Sequence, residues 1–370
     1  MKLAINGTYI QEQASGLGVV TENLLRELMN SDLGGDVTLY TTATRLQTQY
    51  GDRCIQINSN LAPDRGISGH LRRLWWYQTS LPRQLKKQNL SLFYSPANEG
   101  MLFPSLPQVV TVHDLIPLKY PEVSPKWRYY YLYVLPWLLK QSAKIICVSE
   151  HTKRDLIATY GIDPESIHVV YNGCDRTIFY PQSNPEILEK YHLKRYFLYV
   201  GDMRFYKNLD RCLKAFDRLP QSDYQFAIVG SKDDFFYPQL KQKTEQLAAK
   251  DRIVFLDYVP TEDLPILYSM AQSLVFASLY EGFGLPVLEA MACGCPVIAS
   301  DRTSIPEVGG DSVLYINPDD IDDIARGMQQ ILQDRNLREK LSHQGIARAK
   351  LFTWSKTALG IKRVLEMVSC

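Results

Sequence analysis

The sequence of 370 residues lacks several features that would assign it to a class at once. Its seven cysteines form no C-x-x-C pair and no metal-like array, so we expect reduced, buried thiols rather than disulfides or a metal site. No run of about 18 apolar residues is available to cross a bilayer, and residues 1–10 lack the apolar core of a signal peptide. These absences predict a cytoplasmic protein.

An excess of one charge is also absent. The chain has 41 Lys and Arg against 40 Asp and Glu, a net charge of +1, so no global field would attract it to nucleic acid. We find no internal repeat and no low-complexity tract. A hydrophobic content of 45% is ordinary for a globular protein, and the length predicts about two domains.

The stretch Leu274–Ser300 contains the clearest local pattern. Its first five residues form an apolar run typical of a buried strand, and Gly282 and Gly284 then predict a loop. Pro286 fits the first turn of a helix, which Gly294 would end. Strand, loop, helix and strand make a βαβ unit, whose helix begins at the carboxyl end of the sheet.

The start of that helix combines an anion site with two carboxylates. The N–H groups of Phe283, Gly284 and Leu285 are expected to point outward at the positive end of the helix dipole. Glu281 and Glu289 flank them, and carboxylates accept hydrogen bonds from hydroxyls. The combination fits a phosphorylated sugar or a nucleotide sugar. From the spacing alone, a capping Glu281 and a solvated Glu289 are an equal alternative.

The segment E-G-F-G-L-P-x-L-E-A-M-A-C-G-x-P-V-I-A-S resembles the E-x7-E segment of the retaining glycosyltransferases of family 4. The resemblance implies an α/β protein of the GT-B fold, with two Rossmann-like doubly wound domains facing a cleft. It also implies transfer of a hexosyl group from a nucleoside diphosphate sugar to a hydroxyl. The product would keep the anomeric configuration, and neither a metal nor another cofactor would be required.

The resemblance extends over nearly the whole chain and suggests the domain boundaries. It places an N-terminal, acceptor-side domain at residues 1–176 and a nucleotide-sugar-binding domain at residues 177–354. The landmark Phe352–Ser355 precedes a last helix, 355–370, that is expected to cross back to the first domain. By periodicity, Leu359, Val364 and Met367 would face that domain's core.

In the first half, Gly16 and Gly18 lie in a predicted turn between a strand and a helix. The pattern G-x-G is compatible with a simple tight turn, but the resemblance implies that it faces the donor diphosphate and the acceptor. Thr21 replaces the third glycine of a dinucleotide fingerprint, which argues against a dehydrogenase. His113 ends another strand. It fits a structural histidine bonded to Asp114, whereas the resemblance implies contact with the donor sugar near its 6-hydroxyl.

In the second half, Arg204 and Lys207 follow the strand Tyr196–Val200. Two cations at this place suit a diphosphate, although solvated surface charges would look the same. The resemblance implies that Lys207 binds the diphosphate. Arg204 does so only if the loop bends back, because Tyr206 stands at the family's arginine position. Tyr258 is either a stacking partner for the base or an ordinary core tyrosine.

The resemblance further implies that Glu281 bonds to the 3- and 4-hydroxyls of the donor sugar and that Glu289 holds the ribose. We therefore predict His113, Glu281 and Lys207 as catalytic residues. The predicted donor-binding residues are Gly16, Gly18, Arg204, Lys207, Tyr258, Gly282, Phe283, Gly284, Leu285 and Glu289.

The predicted partners are a nucleotide-sugar donor and a saccharide or lipid-linked saccharide acceptor, in surface polysaccharide synthesis. A UDP-hexose is the first choice of donor and GDP-mannose the second. A sugar-nucleotide epimerase and a non-catalytic scaffold are the alternatives.

Ile67–Gln88 mixes aromatic and basic residues, which fits a helix packed on the sheet with a basic outer face or an interfacial helix. A weak peripheral contact with the inner face of a membrane therefore stays open. Trp127–Lys140 is predicted as an aromatic helix.

Overall fold

A computed structural model describes residues 2–11, 16–31, 37–123, 125–220, 223–230, 232 and 235–369. The chain divides into two units. Unit 1 comprises Met1–Gly173 and Trp354–Cys370, and unit 2 comprises Cys174–Thr353. The sequence placed the corresponding boundaries at residues 176 and 354. Each unit is built on one sheet in which every described strand pair is parallel, so the predicted α/β class with two doubly wound domains is confirmed.

The sheet of unit 1 has the strand order β3-β2-β1-β4-β5-β6-β7. Its strands are β1 (Leu3–Gly7), β2 (Val37–Thr41), β3 (Cys54–Gln56), β4 (Leu92–Ser95), β5 (Gln108–Val112), β6 (Lys144–Cys147) and β7 (Ile167–Val169). Its first seven helices are α1 (Gly16–Met29), α2 (Thr44–Tyr50), α3 (Gly66–Lys87), α4 (Ile116–Lys119), α5 (Pro125–Tyr129), α6 (Leu135–Lys140) and α7 (Glu150–Tyr160). Strands β1 and β5 are buried at every position, as expected where helices cover both faces of a parallel sheet.

The sheet of unit 2 has the order β10-β9-β8-β11-β12-β13. Its strands are β8 (Arg195–Val200), β9 (Tyr224–Val229), β10 (Ile253–Leu256), β11 (Ser273–Phe276), β12 (Val297–Ser300) and β13 (Leu314–Ile316). Its helices are α8 (Pro185–Lys190), α9 (Leu209–Asp217), α10 (Phe236–Thr244), α11 (Leu264–Met270), α12 (Leu285–Ala292), α13 (Ile305–Gly309), α14 (Ile321–Gln333) and α15 (Arg335–Ala349). The predicted unit Leu274–Ser300 is thus formed by β11, α12 and β12.

The last helix, α16 (Trp354–Ser369), packs within unit 1. Ala358, Ile361, Val364 and Leu365 belong to the same apolar cluster as residues of α1 and β4. Of the three residues predicted to face this core, only Val364 is buried. Leu359 and Met367 are exposed. The side of the helix that faces the sheet is formed by Ala358, Ile361, Val364 and Leu365, not by the residues that periodicity indicated.

The two aromatic segments of unit 1 are helical, with two corrections. Trp127–Lys140 is a helix with an internal change of pitch, because a π-helical segment, Tyr130–Val134, joins α5 to α6. In α3 the predicted basic outer face does not include Arg73. That guanidinium is buried and bound to the carboxylate of Glu99, with a distance of 2.9 Å from Nε to Oε2.

Candidate active site

The predicted site residues of unit 2 lie on loops that follow neighbouring strands. Residues 201–208 follow β8, residues 277–284 follow β11, and residues 301–304 follow β12. These three strands are adjacent and parallel, so their carboxyl ends open on one edge of the sheet. In open parallel sheets, ligands bind at this edge.

Lys207 and Glu281 form an ion pair at the edge. The Nζ atom of Lys207 donates to both oxygens of Glu281, at 2.8 Å to Oε1 and 3.1 Å to Oε2. The side chains are only 13% and 9% exposed. Burial alone would lower the pKa of Lys207, but the Glu281 carboxylate outweighs it, so the pKa lies above the usual value and the amine stays charged. The rings of Tyr206 and Phe276 lie 5.3 and 5.7 Å from Nζ.

Backbone and amide hydrogen bonds hold the two loops together beneath the pair. The N–H of Leu279 donates to the carbonyl of Tyr206 at 2.7 Å. The side-chain amide of Asn208 donates to the carbonyls of Ala277, at 2.9 Å, and Pro318, at 2.6 Å. Asn208 adopts a left-handed conformation with φ of +61°, which asparagine tolerates better than most residues. These bonds of Asn208 hold the backbone next to Lys207, whose side chain extends to Glu281.

The backbone of Glu281 is supported from the loop after β12. Its N–H donates to Oγ1 of Thr303 at 3.1 Å. The hydroxyl of Ser304 lies 2.9 Å from the carbonyl of Glu281 and 3.0 Å from that of Phe283. Since these hydroxyls satisfy the backbone, the carboxylate of Glu281 is presented on a rigid loop.

Helix α12 starts immediately after this loop and depends on a glycine. Gly284 precedes the helix with φ of +103°, a conformation that side chains disfavour. A Cβ atom there would also lie 2.6 Å from Cδ1 of Ile305. The N–H groups of Val287 and Leu288 donate to the carbonyl of Gly284 and close the first turn. Pro286 has no N–H, so the N–H of Leu285 precedes this turn at the positive end of the helix dipole, a position suited to an anion.

Glu289 lies on α12, one turn into the helix, and is half-buried. It accepts a hydrogen bond from the hydroxyl of Tyr268 at 3.1 Å. Burial raises the pKa of Glu289 to about 7, and the Tyr268 hydroxyl offsets only part of this rise. Because Glu289 is half-buried and bonded to Tyr268, the alternative of a merely solvated Glu289 is wrong.

Arg204 directly precedes the 3-10 turn Phe205–Lys207 and lies beside Asp202. The guanidinium of Arg204 lies 3.7 Å from a carboxylate oxygen of Asp202. It lines a pocket of about 280 Å³ between α9 and α10, together with Lys214 and Lys243, and neither Lys207 nor Glu281 lines that pocket. The role of Arg204 toward a diphosphate stays a prediction.

Tyr258 follows β10 at the same edge of the sheet and is 74% exposed. The alternative of an ordinary core tyrosine is therefore wrong. Its exposed ring is available for stacking, and the contact with a base stays a prediction.

In unit 1, His113 follows β5 and is partly buried. Its Nε2 lies 2.8 Å from the carbonyl oxygen of Pro96. Burial lowers the pKa of His113 and the Pro96 carbonyl only partly compensates, so the ring is neutral at pH 7. A carbonyl only accepts, which puts the proton on Nε2 and leaves Nδ1 as an acceptor. The partner that the structure gives to His113 is thus the Pro96 carbonyl, whereas Asp114 accepts from the N–H of Ile116.

Gly16 and Gly18 are placed differently from the prediction. Both lie in the first turn of α1 rather than in a turn before it, with Gly16 exposed and Gly18 buried. One turn further, Val20 lines a crevice of about 10 Å³ together with His113 and Pro96. Val20 of α1 therefore lies near His113, and the contact of Gly16 and Gly18 with a donor stays a prediction.

Several supporting residues were not predicted from the sequence. Thr303 and Ser304 brace Glu281, Asn208 orients Lys207, and Tyr268 bonds to Glu289. For Asn208 a local signal existed. Asparagine tolerates the left-handed conformation, so its place directly before a predicted helix indicates a tight turn that would orient Lys207. The contacts of Thr303, Ser304 and Tyr268 join positions about 20 residues apart and have no local signal.

The described residues contain neither a metal-ligand cluster nor a membrane-spanning helix. No group of three or more His, Cys, Asp or Glu side chains there converges as metal ligands would. No helix in the described ranges is long and apolar enough to cross a membrane.

Two family models match the chain. One, described as Glycosyltransferase Family 4, matches residues 14–178, and the other, described as Glycosyl transferases group 1, matches residues 182–348. The chain is 37% identical over 258 residues to O-antigen chain mannosyltransferase B of Escherichia coli, covering 66% of each protein. It is 33% identical over 265 residues to O-antigen chain mannosyltransferase RfbU of Salmonella typhimurium, covering 70% of this chain and 71% of that one.

Solved structures share the fold at lower identity. Sucrose-phosphate synthase from Thermosynechococcus elongatus superposes with a TM-score of 0.78 at 21% identity, covering 99% of this chain and 98% of that one. HepE of Anabaena, solved with UDP and glucose, has a TM-score of 0.78 at 18% identity, covering 99% of this chain and 100% of that one. These likenesses support the predicted GT-B architecture.

Proposed function

The chain belongs to the glycosyltransferases of family 4, and from this premise we propose that it moves a hexosyl group from a nucleoside diphosphate sugar to a saccharide or lipid-linked saccharide acceptor. The acceptor hydroxyl forms the new glycosidic bond as the bond to the diphosphate breaks. Its proton passes to the leaving phosphate, which departs from the same face, so the anomeric configuration is kept.

The Lys207–Glu281 pair is the observation that carries this proposal. A buried cation and a carboxylate lie 2.8 Å apart at the carboxyl edge, beside the start of α12. Without a donor, each satisfies the other. When a donor binds, its diphosphate replaces Glu281 as the partner of Lys207, and its sugar hydroxyls replace Lys207 as the partners of Glu281. The ion pair thus has the two chemistries that a sugar diphosphate needs.

Catalysis in this scheme is electrostatic. Negative charge grows on the leaving diphosphate in the transition state, where Lys207 and the N–H at the start of α12, that of Leu285, stabilise it. Positive charge from these groups takes the place that a divalent metal would fill, so we propose a reaction that needs no metal. Glu289 accepts hydrogen bonds from the ribose hydroxyls, and Tyr258 stacks on the base.

The names of two relatives bear on the donor sugar. The relatives from Escherichia coli and Salmonella typhimurium are both named mannosyltransferases that act on the O-antigen chain. Their names support GDP-mannose over the UDP-hexose that the sequence analysis placed first, and they support an acceptor in surface polysaccharide synthesis. The unprotonated Nδ1 of His113 can accept a hydrogen bond from a hydroxyl of this sugar. This role stays a prediction.

A thermal-shift screen with GDP, UDP and ADP, each with and without Mg²⁺, tests the donor site. A ligand at 100 times its Kd stabilises the protein by about 2.7 kcal/mol, enough for a visible shift. We expect a shift with GDP that Mg²⁺ leaves unchanged. A shift with UDP alone would replace the mannosyl donor by a UDP-hexose, and no shift with any of them would refute the proposed site.

A second measurement tests the reaction. Incubation with GDP-mannose and a mannose-containing acceptor, followed by proton NMR of the new linkage, distinguishes retention from inversion. Conversion of the nucleotide sugar into an isomer without any acceptor would instead establish the epimerase alternative.

A further inference from the structure

The pocket of unit 2 between α9 and α10 has a volume of about 280 Å³. It is lined by neither Lys207 nor Glu281, the two residues that carry the proposed donor site. Pockets that bind small molecules start at about 300 Å³, so this one suits a ligand smaller than a whole nucleotide sugar. We call it the basic pocket.

Positively charged side chains dominate the lining of the basic pocket. Its charged residues are the cations Arg204, Arg211, Lys214 and Lys243 and one carboxylate, Asp210. The Nζ atom of Lys214 lies 2.9 Å from Oδ2 of Asp210, and that of Lys243 lies 3.5 Å from Oδ1. One carboxylate therefore serves two ammonium groups.

Arg211 shares its acidic partner in the same way. Its Nη2 lies 3.6 Å from Oδ1 of Asp319, whose Oδ2 lies 2.6 Å from Nη2 of Arg302. Arg211 also donates from Nη1 to the side-chain oxygen of Asn208 at 2.9 Å. Two carboxylates in and beside the pocket thus serve four cations. A bound anion would balance this excess of positive charge, and phosphate oxygens accept strong hydrogen bonds from such groups.

The rest of the lining is mainly apolar. Leu209 and Leu240 are buried, and Phe236 packs against the same core as these two residues. Phe205 also lines the pocket, and its side chain is 58% exposed. An apolar wall with a few convergent polar groups is typical of a pocket that binds a small molecule. The exposed ring of Phe205 suits the apolar face of a sugar ring.

We propose that the basic pocket binds a phosphorylated monosaccharide. Lys214 and Lys243 bind the phosphate group, Asp210 accepts hydrogen bonds from hydroxyls, and the ring of Phe205 covers one face of the sugar. Inorganic phosphate would use only the cations, and an unphosphorylated sugar would use only Asp210 and Phe205. This inference goes beyond the proposed transferase and holds whether or not that activity is found.

Isothermal titration calorimetry with the full chain tests the proposal. The probes are mannose 6-phosphate, glucose 6-phosphate, inorganic phosphate and mannose, each without nucleotide and again with saturating GDP. We expect at least one sugar phosphate to bind about tenfold more tightly than either phosphate or mannose, because it makes both sets of contacts. Its affinity should be the same with GDP present.

Three outcomes of these titrations would overturn the proposal. The first is that neither sugar phosphate binds. The second is that inorganic phosphate binds as tightly as the sugar phosphates, which would leave the sugar without a role. The third is that GDP abolishes the binding, which would place the sugar phosphate in the donor site.

Two matched double variants test the location. In K214Q/K243Q, the affinity for the sugar phosphate should fall about tenfold or more for each lysine, since each provides a charged hydrogen bond. Lys241 and Lys250 provide the control. Their Nζ atoms lie 3.0 and 4.0 Å from the carboxylate oxygens of Glu245, and neither lysine lines the pocket. All four lysines are about half exposed, so both variants should fold.

The control K241Q/K250Q removes the same charge and should leave the affinity unchanged. Equal losses in the two variants would show attraction to the general surface charge and contradict the inference. Wild-type affinity in K214Q/K243Q would contradict it as well.

Phe205→Ser separates the sugar from the phosphate. The affinity for the sugar phosphate should fall about twofold to tenfold, and that for inorganic phosphate should not change, because only the sugar contacts the ring. Tyr133 of unit 1 is 72% exposed, so Y133S is the control that removes an exposed aromatic residue elsewhere. Wild-type affinity in F205S would refute the role of Phe205. The titration without nucleotide stands even if GDP fails to bind, so the failures of the two proposed sites are distinguishable.

Discussion

If the Lys207–Glu281 pair competes with the diphosphate for Lys207, removing the charge of Glu281 should strengthen nucleotide binding, which would not be expected for an ion pair outside the binding site. Both oxygens of Glu281 accept from Nζ of Lys207, at 2.8 and 3.1 Å, in a nearly buried position. A diphosphate can use Lys207 only after this pair separates. Glu281→Gln removes the competing carboxylate and its repulsion of the phosphate, and nearly preserves the shape of the side chain. We therefore expect GDP, which has no sugar, to bind the variant more tightly than the wild type.

The magnitude follows from the coupling energy of residues in contact, which is about 0.5–3 kcal/mol. At about 1.4 kcal/mol, the gain in GDP affinity is tenfold. GDP-mannose should not share this gain in affinity. It loses the charged hydrogen bonds from its hydroxyls to Glu281, each worth about 1.5–3 kcal/mol, so its advantage over GDP should fall tenfold or more.

Isothermal titration calorimetry with GDP and GDP-mannose measures both effects, because it does not depend on the changed stability of the variant. Glu339, an exposed residue of α15, provides the matched control Glu339→Gln. An equal loss of affinity for the two ligands would refute the reasoning, since it would mean that Glu281 serves the whole donor rather than the sugar. Unchanged GDP affinity would show that the pair does not compete with the phosphate.

Three further predictions concern the same edge of the sheet. Lys207→Ala should lower kcat by about 10² or more in a transferase assay, as for loss of one oxyanion donor, and near wild-type turnover would exclude Lys207 from catalysis. Because the pKa of Glu289 is about 7, its carboxylate is mostly protonated at pH 6 and ionised at pH 8, so GDP affinity should rise over this range by calorimetry. Glu289→Gln should remove that rise, and an unchanged pH profile would count against a ribose role. Gly284→Ala should destabilise the protein by about 2 kcal/mol in chemical denaturation because φ is +103°, whereas Gly16→Ala, where a Cβ meets nothing within 4 Å, should not.

The local architecture of the site was readable from the sequence because its signals are local. The apolar run before the loop predicted a strand that the structure gives as Ser273–Phe276. The glycines and Pro286 predicted the helix Leu285–Ala292. Gly16 and Gly18 show the limit of such signals. Glycine favours turns, yet here both residues begin a helix, because packing of α1 decides where its first turn lies.

Side-chain partners across the fold could not be read in the same way. Lys207 and Glu281 are 74 positions apart, and only the adjacency of β8 and β11 brings their loops together. Arg73 reads as one more surface cation of a basic helix, but the fold buries it beside Glu99. Trp75 and Trp76 are likewise neighbours in sequence, but Trp75 is exposed and Trp76 is buried. Which of the two is buried depends on the side of α3 that packs on the sheet.

The sequence by itself therefore determined the alternation of strands and helices, the two parallel sheets and the set of charged residues that follow their strands. Periodicity, glycine and proline influence only a few neighbouring residues, so their effects can be predicted from the sequence without knowledge of the fold. Only the tertiary structure decided that Lys207 is paired with Glu281, that Glu289 is half-buried beside Tyr268 and that Trp75 is exposed while Trp76 is buried. Pairing, desolvation and exposure depend on distances between distant segments, and these distances exist only once the sheets have formed.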